Sequence, residues 1–334
     1  MFVIQLLFDI LFFIFIAFVL TALAFACVYF LRPVWLIYLI NWCRMKRAGL
    51  VKRSLKVTDA LKISYLERKS STNSPLLIFV HGFTSDKEFF CEVSSLLPSM
   101  FHMVLIDLPG HGESTPRDKT AMYSPSAFVD YLHEFIKAFG VGDRRFHLIG
   151  SSLGGCIVGS YAAKYGDENL SSVVATCPSG IRSPIFTEFL QKSHENVING
   201  VFDNVLIPTI VEDFQKIMRL VAYRKVNIPK QIARGYVEIK QRNADMYKKA
   251  LRDMNSEEEY LLLDGLLEDI KCPMLCLWGE NDEVLHVSGS DVIKERVKDV
   301  EVHILKECGH ALTLDKPREM AKLISQFLER VLSS

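Results

Sequence analysis

The chain has 334 residues, of which 49% are hydrophobic, and its 39 Lys plus Arg balance 39 Asp plus Glu for a formal net charge of zero. That balance lacks the basic footprint of a nucleic-acid-binding protein, and the length admits one large domain or two ordinary ones. A positive mean hydropathy of +0.18 is unusual for a wholly soluble enzyme, and its cause is local.

No charged residue lies between Ile10 and Leu31, a stretch that as a helix reaches about 33 Å and matches a hydrocarbon core of roughly 30 Å. Small residues at Ala22, Ala24 and Ala26 fit a cleaved signal peptide, but the apolar run is too long and no basic residue precedes it. The better reading is a retained signal anchor over 10–31, after a short non-cytoplasmic segment at 1–9. Arg32, Arg44, Lys46, Arg47, Lys52, Arg53 and Lys56 follow the span while only Asp9 precedes it, so the positive-inside rule predicts a single-pass type II protein with a cytoplasmic body. In the basic segment 32–58, Trp35, Tyr38 and Trp42 stand where an interfacial aromatic belt belongs. The same segment also suits a cover over part of the folded body. Eight cysteines show no framework spacing, as expected of free thiols in a reducing compartment. A cytoplasmic body leaves the sequon Asn169-Leu170-Ser171 unglycosylated.

Residues 61–66 alternate and predict an edge strand, and 71–75 is turn chemistry. The apolar run 76–80 reads as a buried strand ending at His81-Gly82-Phe83. Residues 89–97 read as helix, and 103–106 as a buried strand ending in the loop Asp107-Leu108-Pro109-Gly110-His111-Gly112. Ser124 caps a helix with Phe128, Leu132, Phe135, Ile136 and Phe139 on one face, closed by Gly140. Further strands are predicted at 146–149, 170–176, 274–278 and 300–305. Pro317 opens a last helix with Met320, Leu323, Ile324, Phe327 and Val331 inward. Alternating apolar strands and amphipathic helices predict a mostly parallel α/β sheet covered on both faces. The alternation divides into core parts at 59–180 and 270–334. Between them, 181–269 is helical with frequent charges and reads as a cap. It carries a capping box at Thr209 and Glu212, and a helix face of Ile210, Phe214, Ile217, Met218 and Val221. A plain second subdomain without a gating role would look the same.

The candidate chemistry gathers where strands end. Gly150-Ser151-Ser152-Leu153-Gly154 joins a strand to a helix, the context of a G-x-S-x-G nucleophile elbow. Ser152 is then a nucleophile at a strained turn, with Gly150 and Gly154 small because the helix folds back past the strand. A serine hydroxyl needs a base. Among nine histidines, His310 in the turn Gly309-His310-Ala311-Leu312 follows the last strand and is free to reach across the sheet. His102, His147 and His303 fall in strands, His133 in a helix, His194 in the cap and His286 after the strand at 274–278. The orienting acid comes from Gly279-Glu280-Asn281-Asp282-Glu283, with Asp282 first and Glu280 next. The oxyanion donors expected are the backbone N–H groups of Leu153 and Phe83.

These segments carry a resemblance. VHGFTSDK at 80–87, HLIGSSLGG at 147–155, VNIPKQIARG at 226–235, WGENDEVLHVSG at 278–289 and CGHALTLDKP at 308–317 make the chain resemble α/β-hydrolase-fold serine hydrolases, and among them membrane-bound monoacylglycerol lipases. The resemblance covers nearly the whole chain and implies an eight-stranded, mostly parallel sheet with a helical cap. It implies Ser152, Asp282 and His310 as triad, with Phe83 and Leu153 as oxyanion donors. It implies hydrolysis of monoacylglycerols such as 2-arachidonoylglycerol, and of lysophospholipids and bis(monoacylglycero)phosphate, at the cytosolic face of endoplasmic reticulum, late endosome, lysosome or plasma membrane. No metal or organic cofactor is implied. The lipid substrate comes from the bilayer, and the N-terminal helix is the membrane partner. Leu153 stands where this family commonly has Met, which alters an acyl contact but not a backbone N–H. His310 with Asp315, and His102 with Asp107, match the His-x-x-x-x-Asp pattern of acyltransferase relatives. Competing readings are a lysophospholipase or lipid acyltransferase, a hydrolase of thioesters or carbon–carbon bonds, and a membrane-tethered scaffold that has lost catalysis.

Overall fold

The computed structural model describes residues 2–71, 74–116, 120–142, 144–166, 169–201 and 205–333. Thr72 and Asn73 of the expected turn and residues 202–204 of the expected cap lie outside them. The chain opens with two helices, α1 (Phe2–Leu31) and α2 (Pro33–Arg47). Pro33 has no N–H to continue α1, while its fixed φ suits the first turn of α2. None of the residues of α1 is buried, and its most apolar window has a mean hydropathy of 2.9. It is long and apolar enough to cross a membrane. The helix starts earlier than Ile10, taking in Asp9, whose carboxylate accepts from Gln5 Nε2 at 3.2 Å.

The sheet and its helices follow in alternation. The elements are β1 (Val51–Lys56), β2 (Lys62–Arg68), β3 (Leu76–Val80), a short 3-10 turn (Lys87–Phe90), α3 (Cys91–Leu96), β4 (His102–Ile106) and α4 (Pro125–Phe139). Then come β5 (Phe146–Ser151), α5 (Leu153–Tyr165) and β6 (Leu170–Thr176). A helical excursion holds α6 (Glu188–Ile198), α7 (Val211–Val221), α8 (Lys230–Gln241), α9 (Ala244–Asp253) and α10 (Glu257–Tyr260). The core resumes with β7 (Met274–Gly279), α11 (Gly289–Arg296), β8 (Val300–Leu305), α12 (Leu312–Asp315) and α13 (Pro317–Ser333). The strands form one eight-stranded sheet in the order β1-β2-β4-β3-β5-β6-β7-β8. Among the described residues, only the β1–β2 and β2–β4 pairings are antiparallel. β3, β4, β5 and β7 are buried along their whole length, which is why they read as continuous apolar runs.

Two expectations are corrected. The strand at 61–66 is not the edge: β1 lies outside it, made from residues placed with the basic juxtamembrane segment. Its burial is confined to Leu55, and the charges of an edge strand guard its open side. The cap of α7 is made by Asp213 rather than Glu212. Its carboxylate accepts from Thr209 Oγ1 at 2.9 Å and from the Thr209 and Ile210 N–H groups at 3.2 and 3.3 Å. The segment 32–58 does cover part of the folded body, the second of its two readings, and it does so through α2. It buries Val34, Leu36 and Ile37, and a Cβ added to Gly235 of α8 would come within 2.8 Å of the Pro33 carbonyl oxygen. The glycine lets the two helices cross in contact, so α2 forms one wall of the cap.

Candidate active site

Ser152 sits between β5 and α5 with φ 56 and ψ −118, a region that non-glycine residues enter at a cost of about 1–3 kcal/mol. Its carbonyl oxygen accepts from Cys156 N at 3.0 Å and Ser179 N at 3.1 Å, and its N–H donates to Thr176 O at 2.9 Å. The turn therefore has its backbone groups satisfied despite its shape. The glycines are required by contact. A Cβ on Gly150 would lie 2.1 Å from the Gly154 oxygen, and one on Gly154 would lie 2.1 Å from the Val80 oxygen.

His310 and Asp282 arrive on neighbouring loops. Gly279, at the end of β7, lets them meet: a Cβ there would stand 2.2 Å from the Gly309 oxygen. His310 Nδ1 donates to Asp282 Oδ2 at 2.8 Å. Asp282 Oδ1 accepts from the N–H groups of Val284 at 2.8 Å and Leu285 at 2.9 Å. The Asp282 carboxylate is fully buried while His310 keeps a sliver of exposure. Glu280, the runner-up acid, is exposed, so the structure brings only Asp282 to the imidazole. Cys177, with φ 41, is a neighbour that sequence reasoning missed. Its sulfur lies within 4.8 Å of ligand atoms of both Asp282 and His310. By residue type these three would suit a metal. However, the facing atoms of Asp282 and His310 are bonded to each other, and burial, reinforced by the Asp282 charge, pushes the Cys177 thiol well above its ordinary pKa. A protonated thiol is a poor metal ligand.

Phe83 and Leu153 bracket Ser152. Leu153 is the first residue of α5, so its N–H has no intrahelical acceptor. The Phe83 loop is held from behind by His81. The His81 ring is fully buried: Leu108 N donates to Nε2 at 3.0 Å, which leaves Nδ1–H to donate to Gly82 O at 2.8 Å. Burial holds the His81 and His111 imidazoles below their ordinary pKa of 6.5, and brings His147, in β5, down to about 4. The unfolded chain then binds protons that the fold refuses. Stability is full above the unfolded value of 6.5 and falls as pH drops below it. Denaturant midpoints at pH 7.5 and 5.0 should differ in that direction, and His147→Gln should reduce the difference.

The loop 107–114 has a structural task invisible in the sequence. The Asp107 carboxylate accepts from Lys87 N and Lys87 Nζ at 2.7 Å each and from Glu113 N at 2.8 Å. A Cβ on Gly112 would come within 2.2 Å of that carboxylate. Asp107 therefore does not serve His102, which bonds Glu67 at 3.0 Å. Asp315 is likewise committed elsewhere: it accepts from the N–H groups of Gly309 at 2.9 Å, Tyr223 at 2.8 Å and Arg224 at 3.1 Å. Both matches to the His-x-x-x-x-Asp pattern are thus brackets for backbone. With Ala311 N donating to Val221 O at 2.7 Å, Asp315 also fastens the end of α7 to the His310 loop.

Two cavities meet at Ser152. One, of 560 Å³, is lined by His310, Phe83 and the α7 face of Phe214, Ile217, Met218 and Val221. The other, of 160 Å³, is lined by Leu153, Ile181, Leu190, Leu251 and Met254. A third, of 780 Å³, touches Asp282 and His286. His286 bonds Ser288 Oγ at 2.9 Å, and His194 packs beside Tyr260. His147 is buried against Ser172.

The sequence profile of the α/β hydrolase fold matches residues 75–317. The chain belongs to the α/β hydrolase family. This hydrolase is 31% identical over 310 residues to the monoacylglycerol lipase ABHD6 of Homo sapiens, a match that covers 92% of this chain and 91% of the relative. It is 28% identical over 278 residues to Lipase 3 of Moraxella sp. (strain TA144), covering 82% and 84%. Among solved structures, a bacterial membrane phospholipase A superposes with a TM-score of 0.81 at 30% identity, over 96% of this chain and 99% of that one.

Proposed function

We propose that the hydrolase cleaves the acyl ester of monoacylglycerols through an acyl-serine intermediate, with Ser152 as nucleophile, His310 as general base and then acid, and Asp282 as the orienting carboxylate. The observation that carries the reading is the buried 2.8 Å bond from His310 Nδ1 to Asp282, on a ring that shares a cavity with the strained Ser152. Nδ1–H fixed on the carboxylate leaves Nε2 as the acceptor for the Ser152 proton. Attack on the ester carbonyl places negative charge on an oxygen that accepts from the Leu153 and Phe83 N–H groups. Collapse transfers the proton from Nε2 to the departing glycerol oxygen. Water, deprotonated by the same nitrogen, then releases the fatty acid.

The substrate class is supported by the named relatives and by the apolar walls of two cavities joined at Ser152. A second reading, hydrolysis of phospholipid or lysophospholipid acyl esters, is supported by the likeness to a membrane phospholipase A. Acyl transfer draws no support from Asp315, whose carboxylate is engaged by backbone. We place α1 across the bilayer with the body on the cytoplasmic side, from the basic residues that follow the span. Fluorophosphonate labelling of membranes carrying wild type and Ser152→Ala tests the site, and a panel of monoacylglycerols, lysophospholipids and thioesters tests the substrate. Labelling is expected to vanish in Ser152→Ala. Its persistence would reject the nucleophile, and labelling without monoacylglycerol turnover would reject the substrate.

A further inference from the structure

The 560 Å³ cavity is apolar along α7 and polar where α2 borders it. Asn41 and Arg44, one turn apart on α2, line that corner with Asp86, Tyr236 and Lys240. The Lys240 ammonium is engaged: it donates to the Thr84 carbonyl oxygen and faces Asp86 at 3.7 Å. Arg44 is half-buried, and among the described residues its guanidinium makes no hydrogen bond or ion pair, acting on Asp86 only at a distance. The Asn41 Oδ1 is buried and accepts no hydrogen bond. A buried acceptor beside a half-buried cation, neither of them hydrogen-bonded among the described residues, is an unfavourable arrangement for a protein to keep unless something else completes it.

Resting on the reading of the chain as a lipid ester hydrolase, we propose that this corner is a headgroup subsite for glycerol. Asn41 Oδ1 accepts from one free hydroxyl, and the Arg44 guanidinium donates to the oxygen of the next. The two free hydroxyls of a monoacylglycerol, vicinal in the 1-acyl form and one carbon further apart in the 2-acyl form, both donate and accept, which matches an acceptor and a donor one helical turn apart. The placement fits the chemistry as well. Thr84, to which Lys240 is tied, directly follows Phe83, so the corner adjoins the loop expected to hold the ester oxygen. The acyl chain then lies along the α7 wall or in the smaller cavity. Two specificity residues therefore come from the helix that continues from α1, and headgroup selection depends on a segment outside the 75–317 match to the family.

The test compares kcat/KM for the glyceryl and methyl esters of one fatty acid, in neutral detergent micelles and normalised to fluorophosphonate-titrated sites. Asn41→Leu and Arg44→Gln are each expected to lower the glyceryl-to-methyl preference about 5–10-fold, the scale of one hydrogen bond. The methyl ester rate stays within about twofold, because the shared acyl chain makes the same contacts in both esters. Lys46→Ala removes a charge from the exposed side of the same helix and should leave the ratio unchanged. Normalisation to titrated sites removes misfolded protein from the comparison. A ratio unchanged in both variants overturns the subsite while leaving the proposed function intact, and so does an equal fall for both esters. A wild type that cleaves the methyl ester and ignores the glyceryl ester overturns both.

Discussion

Asp282→Asn is expected to lower kcat about 10⁴-fold while leaving KM within a few-fold. The direction follows from the hydrogen bonds around the acid. The Val284 and Leu285 N–H groups both point at Oδ1, so in the variant they hold the amide oxygen and turn its NH₂ towards His310. An NH₂ donor there requires Nδ1 to accept, which moves the ring proton to Nε2, the nitrogen proposed to take the Ser152 proton. The geometry survives and the tautomer is wrong. Single-turnover measurement of acylation, with binding monitored separately, checks this. A loss of less than about tenfold would remove Asp282 from the role assigned to it.

The second large effect is on stability. Lys87→Met should cost about 3–5 kcal/mol, because it strands a buried carboxylate. The Lys87 ammonium is 2% exposed and Asp107 wholly buried at 2.7 Å from it. Burial works against the charge on Lys87, yet Asp107, Glu88 and Glu113 outweigh it and raise the Lys87 pKa. Adding Asp107→Asn to Lys87→Met should recover part of the loss, since the wholly buried partner is then neutral and only the more exposed Glu88 and Glu113 have lost the ammonium. Denaturant midpoints of the single and double variants in detergent decide it. If both lose the same amount, the damage comes from the loop backbone rather than the stranded charge.

What could be read from the sequence shares a property: the signal is local. The strand–turn–helix at Ser152, the apolar runs at β3 and β5 and the Gly-His turn at His310 each lie within about ten residues, and their chemistry is written in residue type. What escaped depends on partners far along the chain. β1 reads as a basic stretch because an edge strand carries the same charges. That α2 covers the body by resting on α8 is set by Gly235, some two hundred residues later. Asp107 and Asp315 look like parts of a catalytic pattern and are brackets, which only their backbone partners reveal. The cap of α7 missed by one residue, because Glu212 and Asp213 differ in reach and sequence spacing cannot choose between them. Cys177 had no signal: it gains meaning only from the two loops that close over it.

The bracket at Asp315 joins the end of α7 to the turn that carries His310. It pins the residues after Val221 to the loop bearing His310, and Ala311 N adds a further fastening to Val221 itself. α7 is held near its start too, where Gln241 Nε2 donates to the Pro208 carbonyl oxygen at 2.6 Å and Phe214 stacks on Tyr236 of α8. Freeing the Asp315 carboxylate is therefore expected to loosen a wall of the larger cavity and the turn that carries the imidazole together, so that damage to the shape of the lipid-facing side travels with damage to the position of His310.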